Sequence, residues 1–231
     1  MYRKTVMLTL VMMGILVFAA GSSVLAGEII FSDDIQEKVI SKEVLVRTAD
    51  NVIVLVDTSS SMSAQNKTYN KIFYELEKSA LNAGITRLPD LGYNVGVYRF
   101  TPWEAVYPVQ KFDRAKVLSA LSKLPAEPSG RTPLVKSLDE LEAVLKGLSG
   151  KTFVYIFSDG GYDKGGAMSP GQKTAALAQS HNVCFQVVDY SLQERDRKMV
   201  SDMSRANACS RAIPFNSFIT QPYYGIGPLF Y

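Results

Sequence analysis

Three features of the sequence predict an α/β fold, a sheet of mainly parallel strands with helices on both faces. Two runs, Val52-Ile-Val-Leu-Val56 and Phe153-Val-Tyr-Ile-Phe157, are apolar at every position, as strands covered on both sides must be. Each run ends abruptly in polar residues led by a carboxylate, Asp57 in one case and Ser158-Asp159 in the other. Segments with helical spacing separate the strand-like runs, and that alternation is the signature of crossover connections in a parallel sheet. Open sheets of this kind bind ligands outside the carboxyl ends of their strands. The polar residues after Val56 and Phe157 are therefore the first candidates for function.

The 231 residues suit one such domain with appendages. Residues 1–26 read as a secretory signal: Arg3 and Lys4 lead an apolar stretch from Val6 to Ala20, and Val24-Leu25-Ala26 fits a peptidase site. The apolar stretch is shorter than the roughly 20 residues a spanning helix needs. Cleavage is thus expected rather than a stable membrane span, which places the mature chain in the periplasm or cell envelope. Residues 27–48 form a lead-in of mixed charge, 49–216 the domain, and 217–231 an aromatic tail expected to pack over it. The net charge of +3 includes Arg3 and Lys4, and no basic block occurs; nucleic-acid binding through a charged patch is not indicated.

Within the domain, Asn51 to Val56 is the central strand. A helix is predicted over Ser63 to Leu81, with Ile72, Phe73, Leu76, Ala80 and Leu81 on its apolar face. Tyr93 to Phe100 alternates like a strand, and Glu104 to Val109 returns beside it as a hairpin partner. Asp113 caps a helix, and Thr132-Pro133 opens another, with proline at its first position, running to about Leu148. Thr152 to Ser158 is a second buried strand, Ser169 to Ser180 a helix, and Val183 to Val188 a third buried strand. Gln193 to Ala206 is the last helix, and Ala212 to Phe218 an edge strand. Cys184 and Cys209 are an even pair in an oxidising compartment. A bridge between them, favoured over two buried thiols, would stabilise the fold by roughly 3 kcal/mol.

Two loops that follow strands and one that precedes a helix converge at the same sheet edge. They carry Asp57-x-Ser59-x-Ser61, Asp159 and Thr132. These are hard oxygen donors without nitrogen or sulfur, a set that suits a small divalent cation such as Mg²⁺, with Mn²⁺ or Ca²⁺ as alternatives. Ser59 and Ser61 can reach one ion because alternate residues of a turning loop point the same way. Two carboxylates roughly neutralise such an ion; where water separates them from the metal, it stays electrophilic toward an outside anion.

With Asp57-Thr-Ser59-Ser-Ser61-Met62, Ser129-Gly-Arg-Thr132-Pro-Leu134 and Phe157-Ser-Asp159-Gly-Gly161, the chain resembles von Willebrand factor type A (vWA) domains with a metal-ion-dependent adhesion site. The likeness covers roughly residues 50 to 216 and extends to exported bacterial members. It implies a Rossmann-like, doubly wound, mostly parallel sheet with one antiparallel edge strand, the place of Glu104 to Val109. It also implies that Ser59, Ser61 and Thr132 contact the metal, that Asp57 and Asp159 act directly or through water, and that an acidic side chain of a protein partner completes the shell. On that reading the protein is not an enzyme. The enzymatic alternative is a haloacid-dehalogenase-like phosphotransferase with Asp57 as nucleophile. That chemistry wants a second carboxylate two residues on, where Ser59 stands. A serine hydrolase is weaker still, because His181 precedes a strand and so belongs to the opposite sheet edge.

Overall fold

The computed structural model describes residues 45–163, 167–191 and 193–230. The expected leader and residues 27–44 of the lead-in lie outside the described residues. In chain order, β1 (Asn51–Val56) leads through a 3₁₀ turn (Ser60–Ser63) to a small hairpin, β2 (Gln65–Asn66) and β3 (Lys71–Ile72), and then to α1 (Phe73–Arg87). Next come β4 (Asn94–Phe100), β5 (Trp103–Lys111), α2 (Arg114–Leu121) and α3 (Leu134–Lys146). The chain continues with β6 (Thr152–Ser158), α4 (Pro170–Ser180), β7 (Val183–Asp189), α5 (Glu194–Met203) and β8 (Arg211–Pro214). Two short helices, α6 (Phe215–Thr220) and α7 (Pro222–Ile226), and a 3₁₀ turn (Gly227–Leu229) close the described chain.

The main sheet has the order β5-β4-β1-β6-β7-β8. Every neighbouring pair is parallel except β4 with β5, which run antiparallel. The single antiparallel edge strand predicted over Glu104 to Val109 is therefore present and extends to Trp103–Lys111. β1 and β6 lie at the centre and are buried at every position. Their alternate side chains feed two cores. Val52, Val54 and Val56 pack with α1, α2, α6 and α7 on one face. Ile53 and Leu55 pack with α3, α4 and α5 on the other. Each such aliphatic side chain stabilises the fold by roughly 1.5–3 kcal/mol relative to exposure, so this strand anchors both layers.

Three predicted boundaries move, each for a local reason. The helix expected from Ser63 starts only at Phe73. The Asn66 side chain accepts from the N–H groups of Thr68 and Tyr69, and Asn70 adopts φ +51. Asparagine turn chemistry thus wins over helical periodicity. Pro133 sits just before α3 rather than at its first position, at ψ 52, and α3 ends at Lys146. The edge strand expected over Ala212 to Phe218 keeps only Arg211–Pro214; Phe215 turns into α6 so that Phe215, Phe218 and Ile219 can be buried.

The helix at Ser169 has the predicted start, reinforced by a reciprocal capping box between Ser169 and Gln172. Asp113 caps α2 by accepting from the Lys116 N–H. Cys184 and Cys209 form a disulfide. The tail packs over the domain: Phe218, Ile219, Ile226 and Leu229 belong to the core on the α1 face, and the Tyr155 hydroxyl donates to the Gly225 carbonyl.

Candidate metal centre

β1 delivers Asp57 at the carboxyl edge of the sheet, and the chain then turns through Ser59–Ser63. Asp57 is fully buried; Ser59 is 1% exposed, whereas Ser61 stands in solvent. The turn is held locally: the Ser59 N–H donates to Asp57 Oδ1 at 2.8 Å, the Met62 N–H to the Ser59 carbonyl at 3.1 Å, and buried Met62 plugs the turn into the core. The hydroxyl oxygens of Ser59 and Ser61 lie 3.0 Å apart, so the alternation predicted for this loop brings both to one point.

The other two loops are tied to the first by main-chain bonds. The Ser129 N–H donates to the Thr58 carbonyl at 2.7 Å and the Ser60 N–H to the Gly130 carbonyl at 3.0 Å. Gly130 makes that approach possible with φ +91, a conformation that a side chain would strain. Thr132, buried, receives the Asp163 N–H on its carbonyl at 2.9 Å, which joins the helix-opening loop to the loop after β6. At the rim, Arg131 and Asp163 form an exposed ion pair at 3.1 Å. Asp159 is half-buried after β6, with Oδ1 accepting from the Gly161 N–H at 2.8 Å.

Electrostatics mark the floor of this cluster. Burial pushes the Asp57 carboxyl up to about 7; Ser59 and Ser158 pull it down, and the Asp159 charge adds to the rise. Asp57 Oδ2 is buried without a hydrogen-bond partner among the described residues. A carboxyl in that condition holds its charge poorly, and a cation would restore it. No group of three His, Cys, Asp or Glu among the described residues is arranged to hold a metal. The Ser59 and Ser61 hydroxyls meet here, the Asp159 charge is felt by Asp57, and Thr132 lies on a loop bonded to the same turn; two carboxylates and three hydroxyls are an oxygen set that would fit a hard divalent ion.

Residues 52–161 match the family model for the von Willebrand factor type A domain. The chain carries a vWA domain. Its fold is shared by an aerotolerance-related membrane protein from Bacteroides fragilis carrying multiple mutations to serine (TM-score 0.58, 14% identity, covering 77% of this chain and 98% of that one). The conserved hypothetical protein BatB from Bacteroides thetaiotaomicron is similar at TM-score 0.59 and 15% identity, covering 78% and 98%. Proximal thread matrix protein 1 from the mussel byssus, solved with a zinc-occupied MIDAS motif, is similar at TM-score 0.57 and 16% identity, covering 80% of this chain and 47% of that one. No curated protein matches in sequence.

Two buried residues beside the candidate site escaped the sequence reading. Glu77 of α1 is fully buried; its Oε1 accepts from the Asp57 N–H at 3.2 Å and its Oε2 has no partner among the described residues. Burial first, and the Asp57 charge second, hold its carboxyl well above the usual range. The signal was present in the sequence: Glu77 falls within the apolar stripe of Phe73, Leu76, Ala80 and Leu81. Tyr190, which follows β7, is also buried with an unpartnered hydroxyl. Burial raises its phenol, helped by the charges of Glu77 and Asp57.

Of the rim residues, Trp103 stacks on Tyr98 with ring centroids 4.9 Å apart, and Tyr162 packs partly against the α3 face. His181 ends α4 just before β7 and takes no part in the cluster.

Proposed function

We propose that this vWA domain is an exported, non-enzymatic interaction module. In this reading Asp57, Ser59, Ser61, Thr132 and Asp159 hold a divalent cation, Mg²⁺ in the first instance, and an acidic side chain of a protein partner completes its shell. The observation that carries the proposal is the buried, unpartnered Oδ2 of Asp57 beside two serine hydroxyls 3.0 Å apart. An orphaned carboxylate oxygen next to neutral donors has a reason to exist if a cation is part of the folded protein. When bound, the metal would supply a Lewis-acidic point at the mouth of the sheet. The protein's own part is to fix the donors: Asp57 at the end of β1, the hydroxyls on a turn pinned by Met62, and Thr132 on a loop bonded to both others. Export is supported by the leader-like residues 1–26 and by the disulfide. No helix among the described residues is long and apolar enough to cross a membrane.

The test is a thermal melt of the purified protein with and without Mg²⁺ or Mn²⁺. A ligand at about 100 times its Kd stabilises by about 2.7 kcal/mol, which for a domain of this size raises Tm by roughly 5–10 °C. Asp57→Ala should abolish the shift. An unshifted wild type in both metals sinks the proposal. Turnover of small phosphate esters, lost in Asp57→Asn, would move the assignment to a phosphotransferase.

A further inference from the structure

Glu77 lies outside the five-residue donor set, yet it is the side chain that meets the main chain of Asp57. At this point β1 has left the ladder: its register with β4 ends at Val56 and with β6 at Leu55. The Asp57 N–H turns toward α1 and donates to Glu77 Oε1 at 3.2 Å. The next bond along the chain, from the Ser59 N–H to Asp57 Oδ1, sets the direction of the Asp57 carboxyl. The orientation of the Asp57 peptide therefore governs where both the carboxyl and the first serine point.

A glutamate is an expensive way to fill this space. The site is fully enclosed, Phe73, Leu76, Ala80 and Leu81 surround it on the helix, and a leucine would pack there without burying a carboxyl. Its second oxygen has no partner among the described residues. What the glutamate provides, and a leucine cannot, is the acceptor for Asp57.

We propose that Glu77 is a positioning residue of the metal centre, fixing the Asp57 peptide from beneath so that the Asp57 carboxyl and the Ser59 hydroxyl face the ion. The inference rests on the metal reading above. Outer-shell hydrogen bonds of this type typically change metal affinity by 10- to 100-fold when removed.

The experiment measures Mn²⁺ affinity of the purified protein by calorimetry and by electron paramagnetic resonance, for wild type, Glu77→Gln and Glu77→Leu. Chelated melts of each report the fold separately. Glutamine keeps a carbonyl acceptor in place, so Glu77→Gln should bind Mn²⁺ within about 3-fold of wild type. Glu77→Leu should bind about 10- to 100-fold more weakly while its chelated Tm is equal to or above wild type. A purely structural role would instead lower the Tm and leave the affinity of the folded protein alone. If Glu77→Leu fails to fold, Glu77→Asp, which keeps the carboxyl but shortens the reach, takes its place with the same expected loss. Wild-type affinity in the leucine or aspartate variant overturns the inference. So does an equal loss in the glutamine variant, since the ion would then be responding to the carboxyl itself rather than to the hydrogen-bond acceptor. A wild type that takes up no Mn²⁺ overturns the metal reading itself, and the inference with it.

Discussion

The two ends of β1 are built on opposite terms. At the amino end, Asn51 is buried and fully used: its amide donates to the Ser149 carbonyl at 2.8 Å and to the Thr152 hydroxyl at 3.1 Å, and its oxygen accepts from Asn94 at 2.8 Å. Nearby, Asp50 accepts from the Lys151 N–H and pairs with Arg47, and the disulfide joins β7 to the segment before β8. At the carboxyl end, Asp57, Glu77 and Tyr190 each bury an oxygen with no partner among the described residues. Five residues of the same strand, Val52 to Val56, separate a satisfied polar network from an unsatisfied one. Buried polar atoms that lack partners lower stability, so the amino end carries the fold, while the carboxyl end holds a liability that a ligand could relieve.

Mutations at the two ends should therefore differ in sign as well as in size. The largest effect is expected for Asn51→Ala, which strands Asn94 and Thr152 at once. A loss of about 2–3 kcal/mol corresponds to a fall in Tm of roughly 5–10 °C for a domain of this size, with metal response retained. A change of less than about 1 °C would erase the contrast.

A smaller effect, in the other direction, is expected for Asp57→Asn in chelator. The folded-state pKa of Asp57 is raised from 3.8 to about 7, so folding favours its protonated form. The associated stability is fully present below the unfolded value and is lost as pH rises through about 7. Between pH 5 and pH 8 the metal-free wild type should lose several degrees of Tm more than Asp57→Asn does. At pH 8 the variant should be the more stable of the two, although it no longer answers to metal. Calorimetric melts at the two pH values decide this, and a steeper decline in the variant would contradict it. The smallest effect is expected for Tyr190→Phe, which removes a hydroxyl that has no partner: Tm should stay level or rise by up to about 2 °C. A clear fall would show that the hydroxyl is bonded in solution.

Much of this contrast can be read from the sequence, and the unreadable part has a physical cause. The buried strands announce themselves because each is apolar throughout, and Asp57, Ser59, Ser61, Thr132 and Asp159 stand out as candidates because strand ends and loops expose short polar motifs. The antiparallel edge strand follows from alternation across a short turn. The late start of α1 is harder to see, because the side-chain bonds of Asn66 and the left-handed Asn70 act within the period of the helix they displace. Glu77 and Tyr190 are invisible as a pair. They come from α1 and from the end of β7, far apart in sequence, and nothing local says that either side chain turns toward Asp57. The exchange of strand for helix at Phe215 likewise depends on the aromatic cluster with Phe73 and Tyr190, a tertiary contact without a local signature.

The described chain enters and leaves at one place. Arg47 bridges to Phe230, the Thr48 N–H donates to the Leu229 carbonyl at 2.9 Å, and the Tyr93 hydroxyl donates to the same carbonyl. This junction lies at the amino edge of the sheet, the far end of β1 from Asp57. A pull between this junction and the carboxyl edge at Asp57 would run along the length of β1, with β4 and β6 bonded to either side. Such a pull loads the interstrand bonds together, in shear, rather than peeling them one at a time, which is the stronger way to hang a grip from a sheet.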